Sequence, residues 1–138
     1  MNSVAIIRLL LDGGLVVLIW IVQLIIYPSF LYYNHENLIT WHKKYTFNFG
    51  KIVIPLMLGQ LGIAGYQLFA QPTTYTLLSL IAIVVLWLST FLQFAPIHLN
   101  IAKGIVSEKM LVALVNKNWI RTVLWSLLFV YSLLNSLI

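Results

Sequence analysis

The chain has 138 residues, of which 62% are hydrophobic and 8% charged, with a net charge of +5 and no cysteine. A soluble domain carries about 25% charged residues, so this composition excludes a water-soluble globular protein and favours one built mainly of membrane spans. The lack of cysteine excludes disulfides, thiolate nucleophiles and Cys-ligated metal centres, and basic residues that flank apolar runs suit lipid headgroups rather than nucleic acid.

Four runs of roughly 20 apolar residues, the length of a transmembrane helix, follow one another along the chain. The predicted spans are residues 4–30, 52–70, 75–96 and 119–138. The first has a long apolar core and no small-residue cleavage site before Tyr27-Pro28, which favours a span over a cleaved signal peptide. We therefore predict an all-α membrane protein, with one four-helix transmembrane domain over residues 1–138.

The two longer connectors, residues 31–51 and 97–118, have a helical pattern of their own. In the first, Leu38, Trp41 and Tyr45 recur at helical spacing. The second contains a serine that can cap a helix with an apolar stripe. Segments of this kind lie in the headgroup plane with the apolar face inward, so we predict two interfacial amphipathic helices on one side of the membrane.

The basic residues predict the orientation of the chain. Seven of the eight lie in the two connectors or at their edges: Lys43, Lys44, Lys51, Lys103, Lys109, Lys117 and Arg121. Short loops rich in Lys and Arg stay in the cytoplasm, so we predict a multi-pass protein of the bacterial inner membrane with cytoplasmic connectors and both termini outside. The remaining one, Arg8, is spaced to pair with Asp12, which we interpret as a structural contact.

Polar side chains within the spans gather near the predicted cytoplasmic ends. Because such residues are costly in lipid and usually face the bundle interior, we expect them to form one polar layer. Interhelical hydrogen bonds that merely hold the bundle together are the alternative. The predicted ligand-binding residues are Gln23, Tyr27, His42, Thr90, Gln93, His98, Asn118, Trp119 and Arg121.

Arg121 and the histidines carry the candidate chemistry. Arg121 can anchor span four at the interface, or it can hold a carboxylate, phosphate or quinone oxygen with Asn118 and Gln93 donating alongside. His42 and His98 can serve as acid and base, or contact headgroups and cap helices. Three histidines without a neighbouring carboxylate make a closed metal site hard to assemble, so none is predicted, and the sequence identifies no cofactor.

Several motifs resemble a known group of proteins. They are Gln23-Leu-Ile-Ile-Tyr27-Pro28-Ser-Phe30, Trp41-His42, Pro55-Leu-Met57, Trp87 through His98, Gly104, and Asn118-Trp119-Ile-Arg121-Thr122-Val-Leu-Trp125. Together they resemble uncharacterised small bacterial four-helix membrane proteins over nearly the whole chain. More distantly, the pattern is similar to the anthrone-oxygenase-like superfamily, where the resemblance implies that His98, Trp119 and Arg121 carry the function. This chain has His98 where the oxygenases are expected to have asparagine.

Two functions remain open, and with them whether the chain is an enzyme. The first is binding or transformation of a lipophilic, aromatic or quinone-like molecule, which the polar layer and an expected lining of Trp20, Tyr27, Trp41 and Trp119 favour. The second is a non-catalytic accessory or scaffold subunit, which is favoured because the chain has few residues of the types used in catalysis. A channel is disfavoured because four helices enclose little pore unless they oligomerise. Membrane lipids are the expected partners, and a homo-oligomer is compatible with the sequence.

Overall fold

The computed structural model describes residues 2–138, and these residues form helices without any strand. Four helices are long and apolar enough to cross a membrane: α1 (Ser3–Tyr32), α2 (His35–Ala70), α3 (Thr74–Ala102) and α4 (Glu108–Leu137). This confirms the predicted all-helical class with four candidate spans, and it indicates a multi-pass membrane protein.

Consecutive helices run antiparallel, and each packs against two others, so that α1 and α3 both contact α2 and α4. Short loops join them, and the side chains of Asn34, Thr73 and Ser107 cap the first turns of α2, α3 and α4. The loops at 33–34 and 103–107 lie at one end, which we call the histidine end because His42 and His98 lie near it. The other end, with the 71–73 loop, is the terminal end.

The predicted interfacial helices are not separate elements. Residues 35–51 form the first half of α2, which continues past Pro55, and residues 108–118 form the start of α4. No helix-ending residue stands between either connector and its span. Leu38 and Tyr45 of the first connector and Leu114 of the second are buried in the bundle, whereas Trp41 is exposed. The helix that each connector contains is therefore continuous with a span.

The helices α1 and α3 share one irregularity toward the histidine end. Each contains a five-residue π-helical turn, Val22–Ile26 and Thr90–Phe94, and a proline follows two residues later, Pro28 and Pro96. Proline lacks an N–H and its ring clashes with the carbonyl four residues earlier, and a wider π-helical turn relieves that clash. Such turns change which side chains face the bundle axis, and Phe94 is among the residues turned inward.

The core runs along the whole bundle and includes Leu15, Ile83, Leu86 and Leu128. Large apolar side chains also cover the outer surface of all four helices, as at Leu92, which is largely exposed. Soluble monomers rarely expose contiguous apolar surface on this scale. The outside of the bundle therefore suits lipid rather than water.

Candidate functional site

Arg121 of α4 is buried, with only 6% of its surface exposed. Its Nε donates to Oδ1 of Asn118 at 3.0 Å, Nη1 donates to the Thr90 hydroxyl at 3.0 Å, and Nη2 donates to the Tyr27 hydroxyl at 3.3 Å. The guanidinium lies over the ring of Phe94, 3.7 Å from its centroid, a cation–π contact. A guanidinium has five N–H groups, so two of them have no partner within residues 2–138.

The charge of Arg121 is not balanced by a carboxylate. Its hydrogen-bond acceptors are an amide and two hydroxyls, all neutral. Over the described part of the chain the single ion pair joins Arg8 to Asp12, elsewhere in the bundle. Burying a charge is costly unless an opposite charge or strong hydrogen bonds compensate it. The site therefore holds a surplus positive charge in apolar surroundings.

A second tier of hydrogen bonds fixes the residues that hold Arg121. The Asn118 amide donates to Oε1 of Gln23 at 2.9 Å, and the Thr122 hydroxyl donates to the same oxygen at 2.8 Å. The Gln23 amide in turn donates to the backbone carbonyl of Val115. Gln23 thus ties α1 to α4 and orients Asn118, so that the Asn118 oxygen faces Arg121.

A row of hydrogen bonds leads from Arg121 to the two histidines. The Tyr27 hydroxyl, which accepts from Arg121, lies 3.0 Å from Nε2 of His98. Nδ1 of His98 lies 2.7 Å from Nε2 of His42. His42 is 1% exposed, and its Nδ1 is buried without a hydrogen-bond partner. We call Arg121, Tyr27, His98 and His42 the polar row; it joins all four helices.

The polar row borders a cavity of about 490 Å³. Its polar lining comprises Tyr27, His42, Tyr45, Thr46, Thr90, His98 and Arg121. The rest of the wall is mainly apolar, with Val22, Met57, Phe94 and Trp125 among its residues. A mostly apolar cavity of this size with a few converging polar groups is typical of a small-molecule binding site.

Exposed side chains of α2 and α3 border the cavity. Three of its lining residues, Ile54 of α2 and Phe91 and Leu99 of α3, are more than half exposed. They lie at the rim, on the outer surface between α2 and α3.

Seven of the nine predicted ligand-binding residues form one hydrogen-bonded cluster: Gln23, Tyr27, His42, Thr90, His98, Asn118 and Arg121. Gln93 is exposed and accepts a hydrogen bond only from Ser89, one turn earlier, because the π-helical turn puts Phe94 in the inward position. The expectation that Gln93 donates alongside Arg121 is thus wrong. Trp119 is exposed as well, because it lies off the buried face of α4.

The tryptophans expected to line the site lie on the outer surface instead. Trp20 packs edge-on against Trp119 with ring centroids 5.7 Å apart, and Trp41 stacks on Tyr33 at 6.4 Å. All three tryptophans are more than a third exposed. Of the four aromatic residues expected in the wall, only Tyr27 is there.

Other aromatic residues take their place, and sequence reasoning did not assign them. Tyr45, Phe94 and Trp125 all line the cavity. Trp125 follows Asn118 by seven positions and Arg121 by four, so helical periodicity puts it on their face. The signal for Phe94 is Pro96, which favours the π-helical turn that directs Phe94 inward.

A separate polar cluster lies toward the terminal end. Asp12 is fully buried and accepts hydrogen bonds from Arg8 at 2.9 Å, Gln60 at 2.7 Å and Ser132 at 2.6 Å. Arg8 also donates to Gln67 at 2.8 Å. The predicted Arg8–Asp12 pair is therefore formed, and its partners come from α2, α3 and α4, since Arg8 also donates to the Ser79 hydroxyl at 3.3 Å. Because its two charges balance each other, stabilisation of the fold is enough to explain why this cluster is buried. Arg121 has no such counter-charge.

The polar row offers little to a metal ion. Its two histidines bind each other through Nε2 of His42 and Nδ1 of His98, so Nδ1 of His42 is the nitrogen left over. Within residues 2–138 no three His, Asp or Glu side chains lie close enough to hold a metal ion. The site can donate hydrogen bonds to an oxygen in an apolar cavity and hold a positive charge beside that oxygen. Comparisons of the chain with models of protein families, with curated proteins and with solved structures found no match.

Proposed function

We propose that this protein binds a lipophilic, aromatic or quinone-like molecule in the cavity at the histidine end, through an oxygen that accepts hydrogen bonds. The observation that carries this proposal is Arg121, a buried cation without a carboxylate partner at the wall of an apolar cavity. Its two unused N–H groups suit a quinone, enolate or phenolate oxygen, and an enolate or phenolate would also supply the missing negative charge. The apolar wall suits the rest of the ligand.

The form of the cavity supports a ring-bearing ligand. About 490 Å³ is within the range of sites for small organic molecules. Phe94, Tyr45 and Trp125 offer ring faces and edges for stacking. The rim between α2 and α3 gives a lateral entry, so a ligand need not pass through water. An aromatic ligand would also agree with the resemblance to the anthrone-oxygenase-like superfamily, with His98 and Arg121 carrying the function.

We further propose that the histidine end faces the cytoplasm, with both termini outside. α2 has 36 residues, about 54 Å at about 1.5 Å per residue, whereas the hydrocarbon core is about 30 Å thick. The starts of α2 and α4 would therefore project into the headgroup layer, in the role expected of the interfacial helices. Their exposed lysines would contact anionic headgroups there: Lys43, Lys44, Lys109 and Lys117.

The direct test compares the molecules that copurify with wild type and with Arg121→Met. Lys117→Met is the matched control, because it removes an exposed cation one turn away on the same helix. Detergent-purified protein is extracted with organic solvent, and the extract is analysed by mass spectrometry. We expect a ring compound in wild type and Lys117→Met that is lost, or reduced at least tenfold, in Arg121→Met.

Binding of an added probe gives a second measurement. Menadione, a naphthoquinone, is titrated into each protein while tryptophan fluorescence is followed, since Trp125 lines the cavity. We expect saturable quenching in wild type and Lys117→Met and at least tenfold weaker binding in Arg121→Met. Equal ligand content and equal quenching in all three proteins would contradict the proposal and favour the accessory or scaffold function.

A further inference from the structure

The cavity beside Arg121 is long and narrow. Its lining residues run from His42 to Met57 in α2 and from Leu15 to Tyr27 in α1. At about 1.5 Å rise per residue, these stretches extend over about 22 Å and about 18 Å. A volume of about 490 Å³ spread over about 20 Å gives a mean cross-section of about 25 Å². The cavity therefore suits one extended molecule rather than a compact one.

The polar groups of the cavity lie at one of its ends. Asn118 and Thr122 both donate to Gln23, so the part of α4 that carries Arg121 is level with Gln23 of α1. The polar lining residues lie at this level or nearer to the histidine end: Tyr27, His42, Tyr45, Thr46, Thr90, His98 and Arg121. Any ligand oxygen is therefore held in this part of the cavity.

The cavity continues past Arg121 toward the terminal end. Leu15 precedes Gln23 by eight residues, which is about 12 Å along α1. A Cβ on Gly14 would lie 3.8 Å from Cδ1 of Leu56, so Leu15 and Met57 lie at about the same depth on the two helices. We call this part the aliphatic section, after the residues of α1 and α2 that line it: Leu15, Leu18, Ile19, Val53, Ile54 and Met57.

The aliphatic section belongs to the interior of the bundle. Leu15 and Ile19 are less than 5% exposed, and Met57 is 6% exposed. On the side of α4 the wall is Trp125, whose indole N–H already donates to Gln60. The section thus offers water no hydrogen bonds, and an apolar space of this kind holds apolar groups instead.

A ring compound alone does not fill the cavity. Phe94 lies directly beneath the guanidinium of Arg121, and Tyr45 lies nearer to the histidine end, so a ring that stacks on them stays in the polar part. A two-ring quinone is only about half as long as the cavity. The walls of the aliphatic section would then lack the dispersion contacts that a close-packed partner provides.

We propose that the ligand is a ring compound with a hydrocarbon chain, and that this chain lies in the aliphatic section while the ring oxygen contacts Arg121. This inference rests on the proposed function and narrows its ligand class to amphiphiles with an aromatic or quinone head. The chain points from Arg121 toward Met57. A chain of two isoprene units, about as long as the section, is the shortest that fills it.

The first test measures how binding depends on chain length. Menadione is compared with derivatives that carry one, two or four isoprene units on the quinone ring, in lipid vesicles that contain the protein. Tryptophan quenching gives each Kd as a mole fraction of the lipid, so that partition into the bilayer cancels. We expect the Kd to fall about tenfold from menadione to two units and to stay level at four. A Kd that does not change with chain length would overturn the inference.

The second test blocks the aliphatic section. Val53→Phe puts a larger side chain into its wall, so it should raise the Kd of the two-unit compound to that of menadione and leave menadione itself unaffected. Val17→Phe is the control, because Val17 lies at the same depth but is 59% exposed and outside the cavity. Equal weakening of both compounds by Val53→Phe would mean that the ring occupies the section, which would overturn the inference.

The third test locates the chain in the wild-type protein. A two-unit derivative with a diazirine at the end of its chain is bound and illuminated, and the labelled residue is identified by mass spectrometry. We expect the label at Leu15, Met57 or their neighbours in the aliphatic section. A label at Leu99 or Ala102, which line the cavity nearer to the histidine end, would show that the chain points the other way and overturn the inference.

Arg121→Met separates this inference from the proposed function. If the variant weakens every compound of the series equally and chain length has no effect in wild type, the proposed function stands and the chain site is wrong. If the variant binds every compound as tightly as wild type, the proposed function is wrong and the inference falls with it.

Discussion

Two arginines are buried in this bundle, and their electrostatic surroundings are opposite. Arg8 lies 2.9 Å from the carboxylate of Asp12, so its charge is balanced inside the protein. Arg121 donates to neutral groups and rests on an aromatic ring. A balanced buried pair is explained by folding alone, whereas an unbalanced cation weakens the fold unless a ligand compensates it. The two residues should therefore respond differently to substitution.

Asp12→Asn should destabilise the protein strongly. It keeps the shape of the side chain but leaves Arg8 buried without a counter-charge, a change that costs about 3–5 kcal/mol of unfolding free energy. The measurement is denaturant unfolding of the detergent-solubilised protein, followed by circular dichroism. Glu36→Gln, which neutralises an exposed carboxylate, is the control and should stay within about 0.5 kcal/mol. Equal stability of the two variants would contradict the structural role of Asp12.

Arg121→Met should leave the ligand-free protein about as stable as wild type. The variant loses the donor to Asn118, Thr90 and Tyr27, but it also removes an uncompensated buried charge, and we expect the two effects to cancel within about 1 kcal/mol. The same unfolding experiment measures this, after ligand has been removed by extensive detergent washing. A loss as large as that of Asp12→Asn would show that Arg121 serves the fold.

Helical periodicity predicts which side chains of α4 face the site. Asn118, Thr122 and Trp125 recur at intervals of four and three, so they share the buried face of α4. Trp119 follows Asn118 directly and is rotated by about 100° from it on a helix with 3.6 residues per turn. The periodicity of α4 alone therefore predicts an outward Trp119.

At the scale of the helix, the π-helical turn of α3 explains why Gln93 does not lie beside Arg121 as predicted. On a regular helix Gln93 lies on nearly the same face as Thr90, which is three positions earlier in the chain. The π-helical turn Thr90–Phe94 has a wider repeat, so Phe94 faces Arg121 and Gln93 faces outward. Pro96 is visible in the sequence, but proline can also kink or end a helix. Which of these outcomes occurs depends on the packing of neighbouring helices, which a single sequence does not contain.

Pro96→Ala should weaken ligand binding without weakening the fold. Alanine restores the N–H and removes the ring clash, so α3 gains a regular helix and turns Phe94 away from Arg121. We expect the Kd for menadione to rise about tenfold, equivalent to about 1.4 kcal/mol. Pro55→Ala is the control, because Pro55 lies inside α2 without a π-helical turn; its Kd should equal that of wild type. A rise of the same size in both variants would remove the link between the π-helical turn and the site.

At the scale of the whole molecule, the two polar clusters meet but do not form a continuous proton path. Gln60, which donates to Asp12, accepts a hydrogen bond from the Trp125 indole at 3.4 Å, and Trp125 lies on the cavity wall. An indole N–H only donates, so it cannot relay a proton between the clusters. The bundle is thus divided into a balanced cluster at the terminal end and an unbalanced one at the histidine end.

The proposed orientation can be tested on intact bacterial cells, because the chain has no cysteine of its own. Gln71→Cys marks the terminal end and Lys44→Cys the histidine end, and both positions are exposed. Since lysine-rich segments stay in the cytoplasm, a membrane-impermeant maleimide should label Gln71→Cys in intact cells and Lys44→Cys only after permeabilisation. The reverse pattern would put the polar row near the outer leaflet, so ligands would enter the cavity from that side. Labelling of both positions in intact cells would exclude the four-span arrangement, because α2 alone separates the two residues.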